Sequence, residues 1–324
     1  MDPREATSMG ADPPQHDRDF AGYRGAPPAI RWPGHKQLAL SIVVNVEEGA
    51  ELSLGMGDES NEFIYEAVER VEGVRDLCME SHYEYGTRAG WPRIRALLKD
   101  YGVSATLNAN GRALAVSPWL AQEAVADGHE ISSHGWRWER QVHMDEATER
   151  RQIVRAVAAI HAAAGAPPVG WHTRSAPSVA TRRLLVEHGG FLYDSNAYND
   201  DLPYLVESAG QQHVVLPYAF DTNDMRFYNQ GGFVLGQDFA RYCMDAFDRL
   251  YREGENQPRM LSIGLHLRII GRPARIGGLE QFLGHAAAHP GVWFARRDQI
   301  AHAWRDGLGL PRWQPRATPA GFAP

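Results

Sequence analysis

The sequence predicts an α/β fold, a distorted (β/α) barrel, on three observations. Strand-sized apolar runs alternate with helix-length amphipathic stretches along the chain, which implies parallel strands joined by crossover helices. About seven such units suit a closed barrel better than an open sheet. Acids, bases or amides recur where one strand after another ends, the rim at which barrels of this kind carry their sites. At roughly 150 residues per domain the 324 residues would also allow two domains, but one barrel accounts for them.

Strands are expected at 38–46, 103–107, 130–133, 169–173, 191–193, 214–218, 260–266 and 292–294. Ser117-Pro118 starts a helix that Gly128 stops, and Asp145 caps another that runs to Gly165. Further helices are read at 178–188, ended by Gly189-Gly190, and at 238–253 and 279–289. The Pro- and Asp-rich residues 1–24 and the end 311–324 read as flexible tails around a single domain at 25–310.

Composition narrows the function. With 44% apolar and 23% charged residues the chain reads as a soluble globular protein and excludes collagen, long disorder and a disulfide scaffold. A net charge of −7 argues against a nucleic acid or an anionic membrane as partner, since both need a basic face; a small molecule is the expected partner. Cys78 and Cys243 form no CxxC pair, which fits reduced thiols. The first residues show neither a basic n-region nor an apolar h-region, so a cytoplasmic protein is expected. No apolar run approaches the ~18 residues of a membrane span, and no glycine-rich phosphate loop is present.

The chemistry concentrates at the strand ends. The first ends in Glu47-Glu48-Gly49, the second near Asn108 and Asn110, the third at His134, and the fourth near His172 and Arg174. Asp194, Asp221 and His266 close the next three. Two neighbouring carboxylates separate their proton affinities, so that one can act as base and the other as acid or orienter. The segment 128–138, GHEISSHGWRW, brings His134 out of a strand into a glycine turn backed by indoles, whereas His129 at the strand start reads as structural.

Strand–acid–acid–Gly followed by GHEIxxHxW resembles the polysaccharide deacetylase (NodB-homology) family. That family carries two aspartates, a general base and a metal ligand, and two metal-binding histidines four residues apart. Here both acids are glutamates and Trp138 stands at the second histidine. An indole nitrogen only donates, and a stable zinc site needs three protein ligands, so no catalytic metal and no other cofactor is expected. The same departures resemble the cofactor-independent allantoinases and related cyclic-amide hydrolases. Matching segments run through 80–88, 189–195, 198–204, 221–227 and 261–275, so the resemblance spans about 19–304. The stretch 172–177 departs from the Tyr-Thr-Gly-Arg of such allantoinases, which leaves the cyclic amide itself open.

The resemblance implies hydrolysis of a non-peptide C–N bond, with Glu47 as the base and His266, placed like the family's LxH histidine, as the acid. Trp138 would wall a flat ring, Glu48 and His134 would meet its N–H groups, and Arg174 and Asn199 its carbonyls. A metal-dependent deacetylase of N-acetylated sugars, with His172 as a third ligand, and an inactive ligand-binding homologue are the alternatives. Arg268, Arg272 and Arg275 are expected in an exposed or interface loop, and Glu84, Tyr85 and Arg88 at the site or an interface. His143, His161, His188, His213, His285, His289 and His302 read as surface or packing residues. The resemblance further implies a homo-oligomer, a tetramer among the options.

Overall fold

The computed structural model describes residues 18–64, 67 and 69–322. Its core strand is β1 (Leu38–Val46), buried along its whole length because it is apolar on both faces apart from Ser41 and Asn45. The chain continues through α1 (Leu77–Tyr85), α2 (Trp91–Asp100), β2 (Thr106–Ala109), α3 (Gly111–Val116), α4 (Pro118–Ala126) and β3 (Glu130–Ser133). There follow α5 (Glu146–Ala164), β4 (Gly170–Trp171), α6 (Thr181–His188), β5 (Tyr193–Asp194), and the hairpin β6 (Tyr204–Ser208) and β7 (Gln211–Val215). The last elements are α7 (Gly236–Glu253), β8 (Arg259–His266), α8 (Leu267–Ile270), α9 (Pro273–Ala287), β9 (Val292–Phe294) and α10 (Arg297–Gly307).

The strands form one sheet in the order β6-β7-β5-β4-β3-β2-β1-β8, with β9 paired to the start of β1. Every pair is parallel except β6 with β7. The sheet curls into the expected distorted (β/α) barrel. The segment after β7 spans its open side, for Leu216 bonds to Asp194 of β5 and Gly264 of β8 bonds to Thr222. Strand β6 had no place among the expected strands, because its half-buried Tyr204–Ser208 lacks an apolar run and gains its order from the neighbouring β7. The expected strand 169–173 shortens to two residues, since Thr173 turns its N–H to the Asn196 side chain.

The helix ends follow local chemistry. Asp145 accepts from Thr148 N and Gly165 adopts φ +79° at the C-terminus of α5, as expected. Ser117 stands at the N-cap of α4 and Pro118 at its start, as expected, although the Ser117 side chain makes no capping bond. The expected helix at 279–289 begins six residues earlier, at Pro273. The helix includes the pair Gly277-Gly278, and a Cβ at Gly278 would lie 2.1 Å from the Gly236 carbonyl, so that glycine is a contact point between α9 and α7.

The N-terminal tail expected over 1–24 falls largely on residues 1–17, outside the described residues. The C-terminal end is not frayed over 311–322. Arg316 bonds to the Gly189 and Val186 carbonyls, and Phe322 is buried against Trp171, Phe191 and Ile153. Among the described residues, no helix is long and apolar enough to cross a membrane.

A π-helical turn at Gly86–Gly90 joins α1 to α2 and lies against α8. A Cβ at Gly90 would sit 2.1 Å from the Leu267 carbonyl, a backbone atom that cannot swing aside. Gly90→Ala is therefore expected to cost about 1–3 kcal/mol of stability. The check is a lowered urea midpoint at unchanged slope.

Candidate active site

The C-terminal ends of β1, β3, β4 and β8 meet at a pocket of about 180 Å³. Glu47, His134, His172 and His266 form its polar lining, with Asn45, Tyr218 and Asn223 beside them. Trp138, Arg174, Tyr198 and Phe220 wall it together with Arg140, Ser175 and Met225, and the rings of Tyr198 and Phe220 stack at 3.8 Å.

Glu47 stands at the centre, 1% exposed. Its Oε1 lies 3.5 Å from Nε2 of His134 and 3.5 Å from Nε2 of His266, and its Oε2 accepts a 2.7 Å bond from Arg268. Burial alone would raise its pKa. The charges of His266 and Arg268 outweigh burial and hold the carboxyl well below the ordinary range. For His266 the balance runs the other way. Burial would strip its proton, but Glu47 and Asp224 push its pKa up to about 10. Asp224 Oδ1 accepts from His266 Nδ1 at 2.6 Å, while its Oδ2 accepts the backbone N–H groups of His266 and Ile270. With Nδ1 committed to Asp224, it is the Nε2–H that faces Glu47. At neutral pH the pair is carboxylate and imidazolium.

His134 and His172 are oriented as acceptors. His134 Nδ1 donates to the His172 carbonyl at 2.6 Å, and His172 Nδ1 donates to the Ser195 carbonyl at 2.9 Å. A carbonyl only accepts, so both protons sit on Nδ1. The rings stack 5.2 Å apart. Burial, reinforced by His134, pushes the His172 pKa well below its usual value, so its Nε2 presents a bare lone pair. A water or a substrate N–H placed between Glu47 Oε1 and His134 Nε2 would donate to both.

Tyr218 is the neighbouring donor. Asn45 Nδ2 and Asn223 Nδ2 each donate to its hydroxyl at 3.3 Å. Both amides are fixed by backbone partners, Asn45 Nδ2 by the Leu265 carbonyl and Asn223 Oδ1 by Met225 N–H. With two donors on its oxygen, the phenol keeps its own proton to give, and burial raises its pKa so that it stays protonated. Gly264 makes this possible, since a Cβ there would meet Asn223 Nδ2 at 2.2 Å and Tyr218 Oη at 2.4 Å.

The expected site residues divide. Glu47, His134, Trp138, Arg174 and His266 converge on the pocket, and His172 joins them. Trp138 also belongs to the core, with Arg174 stacked 3.4 Å over its ring and bonded to its carbonyl. Glu48 is a correction. Neighbouring side chains diverge at a strand end, and Glu48 turns away from the pocket into the space left by Gly86, with Oε2 accepting from Glu47 N–H. Burial raises its pKa to about 7 against the pull of Arg268, with Glu47 adding to the rise. Asn199 is a second correction: it is exposed and accepts from Tyr204, because its loop is tied to β6. Asp194 serves Arg182 and His213 rather than the rim, and Asp221 is exposed.

Arg268 corrects the exposed-loop expectation, being 0% exposed and aimed at Glu47. Glu84 and Arg88 form an exposed pair, and Tyr85 stacks with Arg272; none lines the pocket. Asp224 and Tyr218 received no role from the sequence. The acid pair of DTND at 221–224 is a signal for Asp224, but nothing local marks Tyr218.

The family's metal would need three donors. Trp138 holds one ligand position and Glu48 turns away from another. Among the described residues, this pocket does not bring three acid or imidazole donor atoms within 4.8 Å of one another. The donor set does not fit a three-ligand zinc site.

The polysaccharide deacetylase family profile matches residues 75–187. A putative polysaccharide deacetylase of Schizosaccharomyces pombe is 38% identical over 309 residues, covering 89% of this chain and 96% of the relative. The crystal structure of a probable polysaccharide deacetylase from Pseudomonas aeruginosa PAO1 is 47% identical, with a TM-score of 0.87 over 91% of this chain and 100% of that one. The crystal structure of Puue allantoinase is 45% identical, with a TM-score of 0.87 over 92% of this chain and 100% of that one.

The ion pair generates a pH prediction. His266 gains proton affinity on folding, so its contribution to stability is complete below the unfolded value near 6.5 and is lost as pH rises through about 10. In Asp224→Asn the imidazole titration, followed by side-chain nitrogen NMR, is expected to fall well below 10. The stability deficit of the variant in urea should shrink as pH rises from 6.5 to 10. An unmoved titration would exclude Asp224 as the group that holds the charge.

Proposed function

The chain belongs to the polysaccharide deacetylase family of hydrolases, and we propose that it opens a ring C–N bond of a small cyclic amide or imide, allantoinase-like and without a catalytic metal. The observation that carries this reading is the Glu47–His266 ion pair in a pocket where Trp138 stands at a ligand position. The likeness to Puue allantoinase supports the substrate class. A volume of about 180 Å³, below the roughly 300 Å³ at which drug-sized ligands begin to fit, favours a small ring over a sugar chain.

Water donating to Glu47 Oε1 and His134 Nε2 attacks the ring carbonyl carbon. Its proton passes to Glu47, and the Tyr218 hydroxyl donates to the oxygen as negative charge builds there. The C–N bond then breaks and the nitrogen takes the proton from His266 Nε2. A carboxylate held by two cations is a weak base, and this is where the pair matters. As His266 gives up its proton it loses its charge, and the proton affinity of Glu47 rises, so that Glu47 keeps the water proton while the C–N bond breaks. Transfer from Glu47 to His266 across 3.5 Å resets the site. Arg174, itself stacked on Trp138, and the paired rings of Tyr198 and Phe220 wall the space for the substrate ring.

The names of the two deacetylase relatives favour a second reading, deacetylation of an N-acetylated sugar. A panel of allantoin, hydantoins, succinimide-type imides and acetylated chito-oligomers, each with and without a strong chelator, separates the two. Turnover of a cyclic amide that survives chelation is expected. Loss on chelation with recovery on zinc would overturn the metal-independent reading.

Two variants test the roles. Glu47→Gln is expected to lose at least about 10²-fold in kcat while still binding substrate. Undiminished turnover would remove Glu47 as base. Tyr218→Phe is expected to lower kcat by about 10²–10³-fold with KM little changed, the pattern of a donor used mainly in the transition state.

A further inference from the structure

We propose that Asp248, His285 and His289 bind one zinc-class divalent cation between α7 and α9, at a site separate from the pocket. One ligand atom from each residue lies within 4.8 Å of the other two, and none of the three lines the pocket. His285 sits in the last turn of α9, and His289 lies one turn on, past a still-helical Ala288, so both imidazoles share a face. Asp248 reaches them from α7, whose contact with α9 is set at Gly278.

The local hydrogen bonds leave the right atoms available. His289 Nδ1 donates to the His285 carbonyl at 2.9 Å, which satisfies a helix-end acceptor and leaves Nε2 with its lone pair. This is the kind of bond that orients a metal-bound imidazole. His285 Nε2 meets Asp248 Oδ1 at 2.6 Å with a proton between them, and a bound cation would take the place of that proton. Phe247 and Tyr251 back the two imidazoles with ring centroids at 5.6, 5.0 and 4.9 Å. His285 and Asp248 keep side-chain exposures of 29% and 45%, so an ion can enter from solvent and water can supply the fourth ligand. Two imidazoles and one carboxylate suit zinc rather than calcium or magnesium, which prefer oxygen ligands. The ion would cross-link positions 37 residues apart in the chain.

Zinc chloride titrated into the metal-stripped full chain, read by equilibrium dialysis with elemental analysis and by thermal unfolding, tests the site. One equivalent should bind the wild type and His134→Gln alike, and should raise Tm. His285→Gln and Asp248→Asn should each weaken binding by at least about tenfold, the lower bound seen even when only a group supporting a ligand is removed, and should lose the rise in Tm. With cobalt in place of zinc, the visible absorption of a tetrahedral site should appear in the wild type and vanish in His289→Gln. A wild type that binds no zinc, or binding undiminished in His285→Gln, leaves only an ion pair and a helix cap and overturns the proposal. Binding lost in His134→Gln would put the ion in the pocket and overturn it as well.

Discussion

A carboxylate taken out of water must be answered by charge or by hydrogen bonds, and in this protein that carboxylate is Glu47. The effective penalty for burying an ion is several kcal/mol, and breaking a buried pair by removing one partner typically costs about 3–5 kcal/mol. The charges that answer it come from two other places in the fold, His266 at the end of β8 and Arg268 in α8. Arg268 is itself buried under the rings of Tyr83 and Trp138, so α1 and the loop after β3 are drawn into the same arrangement. The Gly90 contact beneath α8 sets how closely that helix can approach. The barrel rim is thus held together by the compensation of one charge.

The chain keeps the scaffold of its family while its pocket is equipped differently from a three-ligand metal site. A metal polarises a carbonyl without moving a proton. The groups found here are proton-handling groups. His266 carries a proton held between two carboxylates, and Tyr218 has a hydroxyl proton left over after accepting from two asparagines. His134 and His172 turn lone pairs toward the cavity because backbone carbonyls take their Nδ1 protons. In the proposed reaction these groups together do what a Lewis acid would otherwise do.

The position of Tyr218 depends on a second buried cation. Arg297, the first residue of α10, is fully buried and donates to the Leu216 and Pro217 carbonyls, Ser195 Oγ and Ser262 Oγ. Those bonds pin the segment that crosses from β5 to β8, and Tyr218 sits on that segment with its ring 5.8 Å from the guanidinium. Burial lowers the pKa of Arg297, although nearby tyrosines and Glu130 work the other way. A helix on the far side of the barrel in sequence therefore positions a side chain of the pocket.

Local pattern determined much of this protein. β1, β3 and β9 run over the residues that apolar patterning assigns to them, and α5 has the Asp145 cap and Gly165 stop read from its ends. Glu47, His134 and His266 were legible as pocket-lining residues because polar groups at strand ends are constrained by the period of the strand and by the topology of a barrel. The tertiary structure decided the rest, where partners distant in sequence compete for the same atoms. It turned Glu48 away from the pocket, buried Arg268 against Glu47, set Asp224 beneath His266 and aimed the Tyr218 hydroxyl at the cavity. It also folded β6 onto β7 and brought Asp248 to His285. The reason is one of range. A strand or helix period is fixed by neighbours a few residues away, whereas the direction of a buried polar side chain is fixed by whichever donor or acceptor the fold brings within about 3 Å of it.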